Sequence, residues 1–352
     1  MLTKKNFMQR SKGTILLTGG LGYIGSHTAI TLIENGYKVV IIDDLSNSSA
    51  IILNRIEKIT SKKVPFFKSS IDSKKILSKI FRNHNIDAVI HFSAFKSIPE
   101  STQFPLKYYG NNVSCFVKFL KICNNHGITR IIYSSSATVY SPNASSPITE
   151  DAATGPVNPY GNTKLCGEMI LRDLCAGQSD WRAGILRYFN PAGAHDSALI
   201  GESPSGTPSN LMPYIADVAI GKRIHLNIYG NDYPTIDGTG VRDYIHVMDL
   251  AEGHLATLEY LLHENKHITI NLGTGHGTSV LQLLKAYEKA SGLTIPYTIT
   301  TRRPGDIATC YADPTRAKSL LGWCAKRNIH EMCLSSWEWI SKNPKGYEEK
   351  IS

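Results

Sequence analysis

A doubly wound α/β fold with a smaller C-terminal α/β domain is what this sequence predicts, on three observations. Short apolar runs alternate strictly with helical patterns through the first half of the chain. A glycine-rich turn joins the first apolar run directly to the first helical pattern. The chain has 352 residues, 42% of them hydrophobic, enough for two domains that each bury a core.

The elements follow in order. Thr14–Thr18 reads as a strand, Tyr23–Asn35 as a helix closed by Gly36, and Tyr37–Asp43 as a second strand. Further strands are expected over Val64–Lys68, Asp87–Ser93 and Arg130–Ser135, and Gly184–Tyr188 adds a sixth. Amphipathic stretches over Ile51–Thr60, Ile76–Asn85 and Leu106–His126 separate them. This is the order of a Rossmann-type parallel sheet, so residues 13–190 read as a dinucleotide-binding domain, preceded by a disordered basic tail over 1–12.

Past Asn190 the regularity ends. Residues 191–210 are rich in Gly, Pro and Ser and read as a long functional loop. Helices are expected over Leu211–Ile220, Asp249–His263, Ser279–Ala290 and His330–Ser341, with strands over Arg223–Tyr229, Ile268–Leu272 and Pro296–Thr300. Residues 191–352 therefore read mainly as a substrate-binding domain, with some return of the chain to the first domain, and a cleft between the two.

Composition excludes several classes. The net charge is +9, but Lys4, Lys5, Arg10 and Lys12 supply four of it and the remaining cations are scattered. Without a basic stripe interleaved with aromatics, no nucleic-acid partner is expected. No apolar run approaches ~18 residues, so no membrane partner is expected either. The seven cysteines (Cys115, Cys123, Cys166, Cys175, Cys310, Cys324 and Cys333) form no C-x-x-C pair. Neither a metal site nor a disulfide framework follows, and free thiols point to the cytoplasm.

Two motifs carry chemistry. Gly19, Gly22 and Gly25 form a G-x-x-G-x-x-G turn between strand and helix. Such a turn needs one glycine for tightness, one to let backbone N–H groups approach a pyrophosphate, and one to pack helix on strand. Asp43 ends the second strand, where a carboxylate accepts hydrogen bonds from ribose hydroxyls and repels a 2′-phosphate. Asp44 follows, and no Arg or Lys appears until Arg55, which favours NAD over NADP. The second motif is Tyr160 and Lys164, one helical turn apart behind an Asn158-Pro159 helix start. Ser136 sits just past a strand end, where sheets of this type bind ligands. For Tyr160 to act as a base its pKa must fall from ~10 by ~3 units, or ~4 kcal/mol. One cation at ~4 Å supplies about that at an effective dielectric of ~20, and Lys164 is such a cation.

The segments TGGLGYIGSHT (18–28), SSSATVY (134–140), NPYGNTK (158–164), LRYFNPAGAH (186–195), NLMPYIA (210–216) and YGNDYPTIDGTGVRDYIHVMDLA (229–251) resemble those of the UDP-glucose 4-epimerase family, an extended branch of the short-chain dehydrogenase/reductase superfamily. The likeness runs from about Gly13 to Tyr347. It implies a tightly held NAD, a UDP-hexose substrate and a transient 4-keto intermediate that turns over between two hydride transfers. It implies that Tyr160 takes the proton from the sugar 4-hydroxyl, that Lys164 binds the nicotinamide ribose and that Ser136 bridges Tyr160 and the 4-oxygen. Further cofactor positions implied are Tyr23, Ile24, Asp43, Asp44, Leu45, Ser46, Asn47, Ser48, Ser70, Ile71, Phe92, Ser93, Lys96, Asn111 and Phe189. Substrate positions implied are Asn190, Asn210, Leu211, Asn227, Tyr229, Arg242, Arg303, Asp306 and Cys310. Arg242 and Arg303 suit a diphosphate, since guanidinium binds phosphate oxygens bidentately.

The chain departs from the family at Ser70, where an Asp is common, and at Ser93-Ala94, where the pair is usually Ala-Gly. Cys310 stands where a bulky Tyr accompanies restriction to plain hexoses, which extends the expected substrates to UDP-GlcNAc and UDP-GalNAc. The resemblance also implies galactose metabolism and a homodimer, paired through the long helix Leu106–His126 and the helix opening at Tyr160. The alternatives are another NAD-dependent sugar-nucleotide epimerase, dehydratase or decarboxylase, and a nucleotide-sensing protein without activity. Ala137 and Thr138 stand where a 4,6-dehydratase usually carries acids. Retention of Ser136, Tyr160 and Lys164 together argues against a non-enzyme.

Overall fold

The computed structural model describes residues 12–348 apart from 205, 207, 209, 265 and 304. Except for Lys12, the basic segment expected to be a disordered tail lies outside the described residues. Lys12 itself pairs with Glu259 at 3.1 Å.

Seven parallel strands form the main sheet. They are β1 (Thr14–Thr18), β2 (Lys38–Asp43), β3 (Phe66–Lys68), β4 (Ala88–His91), β5 (Arg130–Ser136), β6 (Arg182–Tyr188) and a seventh, Ile268–Leu272. Their spatial order is β3–β2–β1–β4–β5–β6 and then Ile268–Leu272. The strand order reverses between β1 and β4, which opens a crevice at their carboxyl ends. Alternate side chains feed two cores. Ile15, Leu17, Val39, Ile41, Ala88 and Ile90 face one side, and Leu16, Val40, Ile42, Val89 and Ile131 the other. Burial on both faces is why these strands read as continuous apolar runs.

The seventh strand comes from the C-terminal half and pairs with β6 from Ile268↔Gly184 to Leu272↔Tyr188. The helix Val247–His263 likewise returns to the first domain and packs beside the helix Tyr23–Glu34. The remaining C-terminal elements bury their own core, centred on Ile215, Leu283, Tyr287, Met332 and Trp339. Within it the short strand Val241–Arg242 lies between Thr278–Ser279 and Thr309–Cys310, which sets Cys310 opposite Arg242. Leu226–Tyr229 pairs with Tyr297–Thr300.

Several boundaries shift for physical reasons. β3 begins at Phe66 because Pro65 has no N–H to give a ladder. β4 ends at His91 because the chain then turns across the glycine turn, where a Cβ on Gly19 would meet the Ser93 nitrogen at 2.8 Å. The stretch Leu106–His126 is not one uniform helix. It runs as Pro105–Tyr109, a single π-helical turn over Gly110–Ser114, and Cys115–Asn125. The π turn brings Asn112 inward, where its amide bonds the Phe95 N–H (2.9 Å), the Phe95 carbonyl (3.0 Å) and Thr163 (3.0 Å).

Candidate active site

The three glycines divide the work of the turn. Gly19 has φ +67°, which favours glycine, and passes against Ser93. A Cβ on Gly25 would lie 2.6 Å from the Gly19 oxygen, so only hydrogen lets the helix close on the strand. Gly22 has only the Gly19 oxygen near its Cβ position and caps the helix Tyr23–Glu34 without a side-chain hydrogen bond. The first backbone N–H groups of that helix therefore face the cleft with positive partial charge, as a pyrophosphate requires.

The cleft has a volume of about 940 Å³ and runs from the glycine turn to Tyr160. Of the expected cofactor residues, Gly19, Gly22, Tyr23, Ile24, Gly25, Leu45, Ser46, Asn47, Ser48, Phe92, Lys96, Tyr160 and Lys164 line it. Asp43 lies just beneath. Its carboxylate accepts from the Leu21 N–H (3.0 Å), the Leu45 N–H (2.9 Å) and the Ser48 hydroxyl (2.8 Å). Burial raises its pKa while these hydrogen bonds oppose the rise. With about four lone-pair positions on a carboxylate, room remains for a ribose hydroxyl. Asp44 is turned outward onto the Ser46 N–H.

Other expected residues stand apart from this cleft. Ser70 donates to Asp72 at 2.8 Å on the surface, and Ile71 is buried in the core. Ser93 crosses behind Gly19. Asn111 donates to the Asn112 side chain at 2.9 Å. Phe189 is buried with Val139, Tyr140, Ile148 and Ala312, and Cys310 packs against the same cluster.

Tyr160 and Lys164 come from the helix Pro159–Gly177, which Asn158 caps by accepting from the Gly161 N–H at 2.9 Å. The Lys164 ammonium lies 6.0 Å from the Tyr160 ring centre and donates to the Ser134 carbonyl (2.6 Å) and hydroxyl (3.3 Å). Ser136 ends β5, accepts from Thr138 through its N–H (3.2 Å) and hydroxyl (3.0 Å), and acts on Tyr160 to favour its phenolate. Tyr160 does not sit at the depressed pKa expected above. Burial pushes it up to about 12, with the Ser136 hydrogen bond opposing. Burial also pulls Lys164 down to about 7, against the attraction of Glu168. The physical reason is desolvation, since both groups have lost water.

Glu168 is one turn beyond Lys164 and fully buried. Desolvation would raise its carboxyl, but Arg187, donating through Nε (2.9 Å) and Nη2 (2.7 Å), and Ser135 bring it below its ordinary value. Its i+4 spacing from Lys164 is a signal readable in the sequence. Glu202 had none: it lies in the Gly/Pro-rich loop, and its carboxylate joins Lys96 (3.2 Å) and Asn210 (3.0 Å) across the cleft mouth.

The expected substrate residues gather on the C-terminal side. Arg303 stacks 4.7 Å over the Tyr229 ring and pairs with Asp306 at 2.8 Å. Arg242 and Arg303 both act electrostatically on the Tyr244 phenol, and Arg242 on the Cys310 thiol. Burial lifts that thiol to about 11. Leu211 opens the helix Leu211–Ala219 behind Asn210. Asn190 opens the short strand Asn190–Ala192 and donates its N–H to the Asp243 carbonyl at 2.9 Å. Asn227 is turned to Thr298 at 3.0 Å. Among the described residues no cluster of His, Cys, Asp or Glu could hold a metal ion.

Over residues 16–335 the chain matches the protein family described as GDP-mannose 4,6 dehydratase. It is 53% identical over 334 residues to a UDP-glucose 4-epimerase of Bacillus subtilis (strain 168), covering 95% of this chain and 98% of that one. A solved UDP-glucose 4-epimerase from Stenotrophomonas maltophila, with bound NAD and formylated UDP-arabinopyranose, superposes with a TM-score of 0.93 at 46% identity, covering 95% and 99% of the two chains. The Bifidobacterium longum enzyme in complex with NAD+ and UDP gives a TM-score of 0.90 at 49% identity with the same coverage. The chain belongs to the UDP-glucose 4-epimerase family.

Proposed function

We propose that this chain is a NAD-dependent enzyme that interconverts UDP-glucose and UDP-galactose. The observation that carries the reading is that Tyr160 and Lys164 line the same cleft as the Gly19–Gly25 turn, with the Ser136 hydroxyl favouring the Tyr160 phenolate. The Gly19–Gly25 turn and Asp43 would hold NAD, which would supply a reversible hydride acceptor for C4 of the sugar and, oxidised, positive charge beside the phenol.

The protein's own residues do the rest. Tyr160 removes the proton from the 4-hydroxyl and later returns it. Ser136, with Thr138 donating to its oxygen twice, directs its own proton to the Tyr160 oxygen and favours the phenolate. Lys164 supplies the ammonium that favours the same phenolate. Arg242 and Arg303 hold the diphosphate, and Asp306 the uridine ribose. Residues 13–190 with the helix Val247–His263 and the strand Ile268–Leu272 form the cofactor domain, and the remainder the substrate domain.

The test is a conversion assay with UDP-galactose on purified protein. Tyr160→Phe should lower turnover by roughly 10²-fold or more with cofactor still bound, and cofactor released by denaturation should be NAD or NADH. Near-normal turnover in that variant would remove Tyr160 from its role, and release of mainly the 2′-phosphorylated form would overturn the reading of Asp43.

The same reading extends to N-acetylated UDP-hexoses, on the resemblance that sets the small Cys310 where enzymes restricted to plain hexoses carry a bulky Tyr. It also includes a homodimer. Leu106 is 86% exposed, and Phe104, Val157 and Met169 are exposed on or beside the neighbouring helices, an apolar surface that a second copy would cover. No described helix is long and apolar enough to cross a membrane. All seven cysteines are unpaired, which supports a reducing cytoplasm, and turnover of UDP-galactose carries the role in galactose metabolism.

A further inference from the structure

Burial takes water from the Lys164 ammonium, so protein groups must solvate its charge. The ammonium has three hydrogens. Ser134 meets it through its carbonyl (2.6 Å) and its hydroxyl (3.3 Å), both of them neutral. The residue before Ser134 on β5, Tyr133, adds something of a different kind. Lys164 Nζ lies over its ring, 5.1 Å from the centre. That is inside the ~6 Å at which the negative face of an aromatic ring attracts a cation.

The ring cannot drift from that place. Tyr133 is buried, with the His91 ring within 8° of parallel at 5.9 Å and the Phe116 ring at 5.0 Å. Its hydroxyl donates to the Lys164 carbonyl at 3.5 Å. Gly167 has no Cβ, and one there would collide with that hydroxyl. Burial raises the Tyr133 phenol well above its ordinary value, so it meets the ammonium as a neutral ring and not as a counter-charge.

We propose that Tyr133 is a positioning residue whose ring face seats the Lys164 ammonium beside Tyr160. The inference rests on the reading of Lys164 as the cation that favours the Tyr160 phenolate. The other ionisable groups around Lys164 are Tyr160, with its ring centre at 6.0 Å, and Glu168 on its own helix, Arg187 of β6, which holds Glu168 at 2.7 Å, and His91 of β4. Burial holds His91 down at about 3, so it is neutral. The ring's attraction acts only while Lys164 is charged. Lys164 loses its proton in the folded protein near 7, so the stability the ring contributes is present below that value and lost as the pH rises through it.

Tyr133→Phe keeps the ring face and serves as the reference. Phenylalanines of increasing fluorine content, up to pentafluorophenylalanine, are then placed at position 133. Fluorine drains the negative face of the ring at nearly constant volume, so the core stays filled. Melting is followed at pH 6 and pH 10 on protein of measured cofactor content. Relative to Tyr133→Phe, the pentafluoro ring should lower the melting temperature at pH 6 by about 2 °C or more than it does at pH 10. In the Lys164→Met background the same replacement should shift melting equally at both pH values. In the Lys164 protein, kcat for UDP-galactose at pH 7 should fall with fluorine content by roughly threefold in all, with KM within about twofold. A melting shift that is the same at both pH values overturns the proposal, as does a pH-dependent shift that persists in Lys164→Met. Wild-type protein that leaves UDP-galactose unchanged would instead overturn the functional reading, and the melting series would still decide whether the ring seats the ammonium.

Discussion

Replacing Lys164 with Met removes one buried charge at nearly constant volume, and its consequences for rate and for stability have opposite signs. The ammonium stands 6.0 Å from the Tyr160 ring centre. At an effective dielectric of ~20, a unit charge at that distance favours the phenolate by about 3 kcal/mol, or roughly 2 pKa units and a 10²-fold rate. Lys164→Met should therefore lower kcat at pH 7 by about 10²-fold and move the acid limb of the profile up by about 2 units.

Stability runs the other way. Lys164 is held at about 7 in the folded protein against an ordinary value of 10.5, through burial. Between those two values the unfolded chain binds the proton and the folded chain does not, so wild-type stability rises with pH across that window. Below pH 7 both states hold the proton, and the buried ammonium costs the fold about 1.4 kcal/mol for each unit of the shift. The Met variant lacks that cost. Its melting temperature should exceed wild type's at pH 6, and the advantage should shrink toward pH 10. Rates come from UDP-galactose conversion between pH 6 and 10, and melting from calorimetry on protein of measured cofactor content. A variant within about tenfold of wild type at pH 7, or one less stable than wild type at pH 6, would refute the reasoning.

Three other substitutions test separate parts of the site. Thr138→Val removes one donor to Ser136, worth about 0.5–1.5 kcal/mol, so kcat should fall roughly 2- to 10-fold and recover in Thr138→Ser; a Val variant at the wild-type rate would show that Ser136 needs no such support. Wild-type protein should interconvert UDP-GlcNAc and UDP-GalNAc, whereas Cys310→Tyr should lose that activity and keep UDP-galactose conversion, because a phenol in a packed site costs an N-acetyl group about 1–3 kcal/mol or more; inactivity of the wild type on the N-acetyl pair would defeat the idea. Leu106→Glu should turn a dimer into a monomer by light scattering, and an unchanged mass would place any pairing surface elsewhere.

Local pattern carried much of this fold. Thr14–Thr18 and Ile268–Leu272 are strands over the residues their apolar runs mark, and Asn158-Pro159 starts a helix that sets Tyr160 and Lys164 one turn apart. What pattern could not show is where the chain returns. Ile268–Leu272 joins β6 across some eighty residues of intervening chain, and nothing in its own five residues distinguishes that sheet from a separate one. The π turn at Gly110–Ser114 is equally remote in cause, because the inward turn of Asn112 is decided by Phe95 and Thr163.

The same limit explains why the working residues were more legible than the layer behind them. Ser136, Tyr160 and Lys164 each belong to a short motif with its own geometry. Their electrostatics do not: the pKa of about 12 at Tyr160 and about 7 at Lys164 follow from burial, which no spacing encodes. Burial in turn obliges each polar group behind the cleft to find a partner, since an unmet one costs about 1–3 kcal/mol. Glu168 finds Arg187 and Ser135, Asn112 finds Phe95 and Thr163, and His254 finds Leu250 and Tyr188. These partners lie 4 to 66 positions away, and most join different elements. Each pairing ties a cleft-lining strand or helix to its neighbour in one geometry, so the Tyr–Lys pair is held by residues that never meet the substrate.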